Sequence, residues 1–304
     1  MKRLTIIIPA PLDKNLPIEV TKTIDKKKVE IIIERGNNPS INRNRGIKKA
    51  KTELVAFTNI HSKLAKNWYE EVIKFFDKNK EVSAVGGPQF TENDGKAFQR
   101  ASGHALKSPF GSAVVSKRYK ENKENLDSDE TEITSANLIC RKSVFEKVIF
   151  NEKLYPGEDP KFVEDIKNVG FKVAYSPRIV AYNQRRPGIM ALAKQIYNYG
   201  VVRPKKESVK KTLAKPYFFV PTIFIIYLLS IIPLTTISKY FLIPLWAYII
   251  LNIIVMTKTY IKTNDLEAAI MLPVVFLTIH VSYGFGIFQG LVNKIFSPGE
   301  RVYK

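Results

Sequence analysis

The chain has 304 residues, enough for one large or two modest domains, and 48 lysines and arginines against 28 acids leave a formal charge of +20. Such a balance asks for an anionic partner: nucleic acid, an anionic membrane surface or a phosphate-bearing substrate. A single cysteine, Cys140, excludes an internal disulfide framework and a cysteine zinc site, and suits a soluble part that faces a reducing cytoplasm.

The opening MKRLTIIIPA imitates a signal peptide, but its apolar run is only about six residues before Pro9 and no small-residue cleavage site follows. Residues 4–8 therefore read as a first strand, ended by Pro9, Ala10 and Pro11. Residues 17–28 form a weak helix candidate. Residues 29–33 make a second buried-type strand closed by Glu34, Arg35 and Gly36, so Glu34 stands at a strand end. A basic helix over about 41–51 then leads into residues 54–57, LVAF, which have the length and apolar character of a strand buried on both faces. This strand, helix, strand, helix, strand alternation predicts an α/β fold with a parallel sheet and right-handed crossovers. Ligands bind at the carboxyl ends of strands in such sheets, which places Asn59 and His61 at the mouth of a site. A surface turn after a core strand is the alternative.

Farther along, Trp68, Val72, Ile73, Phe75 and Phe76 recur at helical spacing and predict an amphipathic helix over 66–78. Residues 82–85 read as a strand and 96–107 as a helix. Residues 119–132, polar and without apolar periodicity, read as a mobile loop. Strand character returns at 133–141, followed by a short helix at 143–148. Glu158 and Asp159 then lie just ahead of a helix, where a carboxylate can serve as a cap or do chemistry. Residues 172–175 and 179–182 continue the strands. Arg185 and Arg186 follow, either to clamp phosphates or to sit near a membrane surface.

Composition changes near residue 215. From Arg203 to Lys215 there are six basic residues and one acid, and residues 217–237 are then 21 without charge. At about 1.5 Å per residue that run spans roughly the 30 Å hydrocarbon core. Residues 240–257 and 268–292 are the second and third candidate spans, and only His280 is ionisable in the third. The basic block before the first span puts the preceding domain in the cytoplasm. Three spans leave the tail outside although it carries Lys294, Arg301 and Lys304; a re-entrant segment would return it. His280 reads either as a packing histidine or as a functional group, and residues 190–202 as an interfacial or a core helix. Because the densest charge adjoins the first span, membrane topology explains it and no nucleic-acid partner is expected.

A first strand ending in proline, a second ending in an acid, N-R-N-R-G at 42–46 and L-V-A-F before a polar triplet together resemble family 2 glycosyltransferases. Downstream, S-P-F-G-S at 108–112, Arg141, V-F-E at 144–146 and G-E-D at 157–159 are similar in spacing to membrane-bound enzymes of the succinoglycan glucosyltransferase type. The resemblance covers roughly residues 3–210. It implies a Rossmann-like GT-A domain over 1–210 and a membrane region over 211–304. It also implies an inverting, nucleotide-sugar-dependent reaction on a polyprenyl-linked or growing cell-surface glycan, in a multi-pass protein of the cell membrane. Pro9, Glu34, Arg43 and Asn59 would bind the nucleotide sugar, Asp159 would be the general base with Glu158 beside it, and Arg185 and Arg186 would neutralise the diphosphate. The family's D-x-D is here Asn59, Ile60 and His61. Two carboxylates make a hard-oxygen site for Mg²⁺ or Mn²⁺, whereas asparagine and histidine bring no negative charge. His61 could ligate Mn²⁺, the arginines could replace the metal, or the chain could be a non-catalytic membrane scaffold that keeps the fold.

Overall fold

The structure, a computed structural model, describes residues 2–13, 15, 18–93, 95–206 and 218–296. The basic stretch from residue 207 to Lys215, together with Arg301 and Lys304, lies outside these residues. The strands are β1 (Leu4–Ala10), β2 (Val29–Arg35), β3 (Leu54–Thr58), β4 (Ser62–Leu64), β5 (Val82–Gly86), β6 (Gln89–Thr91), β7 (Asn137–Arg141), β8 (Lys172–Tyr175) and β9 (Ala181–Asn183). The helices are α1 (Pro39–Lys49), α2 (Trp68–Lys78), α3 (Ala97–Lys107), α4 (Pro109–Ser112), α5 (Glu158–Asn168), α6 (Ile189–Lys206), α7 (Val220–Ile237), α8 (Ile243–Thr263) and α9 (Leu266–Phe296). Two compact units divide the chain: the first takes Met1–Glu92 and Val114–Gln184, the second Asn93–Ala113 and Arg185–Lys304.

In the first unit a six-stranded sheet has the order β2-β1-β3-β7-β5-β8. β1 pairs parallel with β2 and β3, and β5 parallel with β8, while β7 runs antiparallel to both β3 and β5. The sheet is thus mostly parallel, with one reversed strand that helix-strand alternation did not announce. Side chains alternate between two cores, as a strand buried on both faces requires. Leu4, Ile6, Ile8, Leu54 and Ala56 pack with Trp68, Val72 and Phe76 of α2. Ile7, Val55 and Phe57 face the other way, toward Phe150 and Phe162, Val163 and Ile166 of α5. A small sheet, β4-β9-β6, stands beside the larger one.

The weak helix over 17–28 reduces to one 3₁₀ turn, Glu19–Lys22, because its lysine-rich end offers no apolar face to bury. The expected mobile loop over 119–132 is instead docked on the sheet edge. Asn125 bridges Tyr175, the Ser128 amide bonds the Val173 carbonyl at 2.8 Å, and buried Glu132 accepts from the Ser128 hydroxyl at 2.7 Å. Polar side chains satisfied on the open edge of β8 need no apolar periodicity. After β5, a Cβ at Gly87 would stand 1.9 Å from the Ile179 carbonyl oxygen. Gly87→Ala should therefore cost about 3 kcal/mol or more, read as a lowered urea midpoint.

The second unit has its core where α3 and α6 meet α9. Ala101 and Ala105 pack with Leu192, Ile196, Leu272, Val275, Phe276 and Ile279. Backbones come close enough that a Cβ at Gly286 would be 2.2 Å from the Tyr197 carbonyl, and one at Gly290 2.4 Å from that of Val201. His280 is a packing histidine. Its Nε2 lies 2.8 Å from the Phe110 carbonyl, so it carries the hydrogen, and the Tyr248 hydroxyl then donates to Nδ1 at 3.1 Å.

Candidate active site

The carboxyl ends of β1, β2 and β3 bring Pro9, Glu34 and Thr58 to one edge of the sheet, and Pro9 and Glu34 are register partners. Because β7 is antiparallel, its first residue, Asn137, pairs with the last of β3, Thr58. The residues before β7 therefore return to that same edge. Asn137 is fully buried and satisfied there, accepting from Trp68 Nε1 at 3.0 Å and donating to the Ile179 carbonyl at 2.7 Å. Two positions earlier, Ser135 donates its hydroxyl to Asp159 Oδ1 at 2.5 Å.

Helix α1 begins at an asparagine cap, with Asn38 Oδ1 accepting from the amides of Ser40 at 2.9 Å and Ile41 at 3.3 Å, and Pro39 following. Its N-R-N-R-G segment turns three side chains inward. Asn42 donates to the Gly36 carbonyl at 3.1 Å and so fixes the turn after β2. Asn44 bonds the amide and carbonyl of Phe150 at 3.0 and 2.9 Å. Between them Arg43, 3 % exposed, donates through Nη1 to Glu158 Oε1 at 2.9 Å and lies 3.5 Å from Asp159 Oδ1. Its guanidinium sits 5.1 Å from the centroid of the Phe150 ring. Arg43 Nε is buried with no partner among the described residues.

Helix α5 starts at Glu158 with Gly157 as its N-cap, in the left-handed region at φ 110°, and no side chain caps it. Asp159 is therefore not a cap. Its Oδ1 faces Ser135 and Arg43, while no hydrogen bond or ion pair among the described residues engages Oδ2, and the side chain is 25 % exposed. Glu158 differs from its neighbour. Burial, then the adjacent Asp159 charge, push its carboxyl from 4.5 up to about 7, against the opposing pull of Arg43. A carboxyl raised in the folded state makes stability fall as pH rises from its unfolded value through its folded one. Unfolding midpoints in urea should accordingly drop between about pH 4.5 and pH 7, and Glu158→Gln should flatten that slope.

Glu34 is buried and receives Lys49 Nζ at 2.6 Å. Asn59 is half-buried after β3, and Thr58 Oγ1 is buried without a partner among the described residues. His61 is exposed one residue before β4. No group of three histidine, cysteine, aspartate or glutamate side chains that could hold a metal occurs among the described residues. One amide and one exposed imidazole do not make a hard-cation site, so Asn59 and His61 do not fit the divalent ion. Arg185 and Arg186 belong to the second unit, where the Arg185 carbonyl accepts from Gln99 at 2.7 Å and Arg186 Nε donates to Gln195 at 3.4 Å. Ser135 escaped the sequence reading because only the antiparallel return of β7 gives it a place.

The family model described as glycosyl transferase family 2 matches residues 17–149. The match takes in 133 of the 304 residues, β2 through β7 among them. No curated protein matches the chain. Among solved structures, S. aureus TarS is similar at 13% identity and TM-score 0.45 over 67% of this chain and 40% of TarS, so the chain spans well under half of that protein. TarS 1–349 in complex with UDP is similar at 11% identity and TM-score 0.46 over 97% of this chain and 92% of that one. A197 from STIV is similar at 13% identity and TM-score 0.41 over 62% and 87%.

Proposed function

We propose that the protein is an inverting, membrane-bound glycosyltransferase that moves a sugar from a nucleotide-diphosphate donor to a polyprenyl-linked or growing glycan acceptor, at the cytoplasmic face of the cell membrane. The observation that carries this reading is Asp159, whose Oδ1 is occupied by Ser135 and Arg43 while Oδ2 stays open, within a chain that has a family 2 domain. Asp159 Oδ2 takes the proton of the acceptor hydroxyl. The freed oxygen attacks the anomeric carbon from the face opposite the diphosphate, and the breaking carbon–oxygen bond leaves its electron pair on the diphosphate. Pro9 and Glu34 line the base pocket, Asn59 meets the ribose or a phosphate, and Arg185 and Arg186 are the candidates for neutralising the leaving group. Arg43, paired to Glu158, holds the base in place. No step is routed through a metal.

Membrane attachment is supported by α7, by the stretch Lys239–Thr263 and by α9, each long and apolar enough to cross a bilayer. The basic residues that precede α7 favour a cytoplasmic domain of residues 1–210 and a membrane region beyond.

A non-catalytic scaffold is the second reading, favoured by the missing carboxylates at 59–61. Incubating the purified chain and native membrane lipid with a panel of nucleotide sugars, in chelator, Mg²⁺ or Mn²⁺, separates the two. Transfer from one donor, persisting in chelator, is expected. Nucleotide binding without consumption of any donor in all three conditions would establish the scaffold, and strict dependence on added metal would return His61 to the site.

A further inference from the structure

The buried face of the small sheet is not wholly apolar. Leu64 and Ala181 join the core there, yet Ser62 of β4, Asn183 of β9 and Gln89 of β6 alternate onto the same face and are buried with them. These three form one directed chain. The Ser62 hydroxyl donates to Asn183 Oδ1 at 2.5 Å, Asn183 Nδ2 to Gln89 Oε1 at 3.2 Å, and Gln89 Nε2 to Thr134 Oγ1 at 2.6 Å. Each amide has both its oxygen and its nitrogen engaged, which settles the way each one points. Burying two amides and two hydroxyls costs desolvation that leucine or valine in the same space would not incur. What a paired polar network adds is a fixed geometry.

The chain ends beside Ser135. Thr134 Oγ1 also accepts from the Ala136 amide at 3.3 Å, and the Thr134 carbonyl accepts from the Asn137 amide at 3.1 Å. Asn137 is tied in turn through its side chain to Trp68 and to the Ile179 carbonyl. Ser135 therefore lies in a turn pinned on both sides, is itself fully buried, and gives its hydroxyl to Asp159 Oδ1. Among the described residues that is the single hydrogen bond to the Asp159 carboxylate. Arg43 Nη1 stands 3.5 Å from the same oxygen and is committed to Glu158 at 2.9 Å. Released from Ser135, the Asp159 side chain could turn toward Arg43, and a carboxylate hydrogen-bonded to a guanidinium is a weaker proton acceptor. A neutral hydroxyl fixes the same carboxylate and leaves more of its basicity.

We infer that Ser135 is a positioning residue for the reaction. It holds the Asp159 carboxylate apart from Arg43 with Oδ2 open, and the chain from Ser62 through Asn183 and Gln89 to Thr134 holds Ser135. The inference rests on the reading of Asp159 as the general base. It gives the small sheet a part in catalysis that acts through the base, and every residue it uses lies in the first unit.

The test is a double-mutant cycle on the full chain in native membrane lipid, with the donor found by the panel above. Single-turnover rates at saturating substrate are divided by the concentration of nucleotide-binding sites, so that loss of folded protein does not enter. Ser135→Ala should lower the rate about 10-fold and leave the half-saturating concentrations of donor and acceptor within about 2-fold. In an Asp159→Asn background the same change should alter the rate by less than about 2-fold, because no base is left to position. A comparable loss in both backgrounds, or none in the parent, overturns the inference. Gln89→Leu, one link farther out, should cost about 3-fold in the parent and nothing more once Ser135 is replaced by alanine. No loss in the parent, or a loss that adds in full to that of Ser135→Ala, removes the small sheet from the arrangement. A parent chain that consumes no donor, or Asp159→Asn that transfers at the parent rate, would instead sink the reading of Asp159 on which the inference rests.

Discussion

Asp159→Asn should lower turnover by about 10²- to 10⁴-fold, the usual contribution of a positioned proton acceptor, while the affinity for the nucleotide is nearly unchanged. Sequence alone leaves open a helix cap, for which asparagine would be an adequate replacement. The structure argues against that role, because Gly157 occupies the cap position and the Asp159 carboxylate is turned to Ser135. An amide can still accept from Ser135 through its oxygen, so geometry should survive and basicity should not. Single-turnover rates together with an equilibrium titration of nucleotide decide the matter. A variant that transfers at the parent rate removes Asp159 from the mechanism, and one that loses nucleotide affinity in parallel places it in the donor pocket.

Arg43→Ala should be strongly destabilising in the first unit. Glu158 is 5 % exposed, sits next to Asp159, and has Arg43 as its only ion-pair partner among the described residues. Removing the cation from a buried pair typically costs about 3–5 kcal/mol where the carboxylate stays ionised, so the loss should be largest above about pH 7, where protonation of Glu158 no longer relieves the charge. For a domain of this size that is a fall in Tm of about 10 °C. Adding Glu158→Gln to Arg43→Ala should recover much of the loss, since the stranded charge goes with it. Failure of the second change to help would mean that the arginine acts through its stacking on Phe150 instead.

The sequence was readable wherever periodicity carried the signal. Buried runs such as 54–57 and the aromatic stripe of α2 name a layered α/β core, and the uncharged lengths beyond residue 217 name the apolar helices. What depended on tertiary return was not readable. Nothing local tells that β7 runs backwards between β3 and β5, and hence that Ser135 meets Asp159. Arg43 was legible as part of a motif, yet the motif suggests a ligand-facing arginine, whereas burial turns it toward Glu158. The loop over 119–132 failed for the opposite reason: its order comes from polar bonds to an open strand edge, which hydrophobicity cannot register.

The second unit is built from two stretches far apart in the chain, and that has a consequence in time. Arg100 and its partner Asp265 are separated by 165 residues. At about 5–20 residues per second, a ribosome needs roughly 10–30 s to travel between them. For that interval α3 has been made but the helix that covers Ala101, Ala105 and Phe98 has not. The second unit therefore cannot close before almost the whole chain has been synthesised, and a chain stopped at residue 210 would hold α3 and α6 without the helix that completes their core.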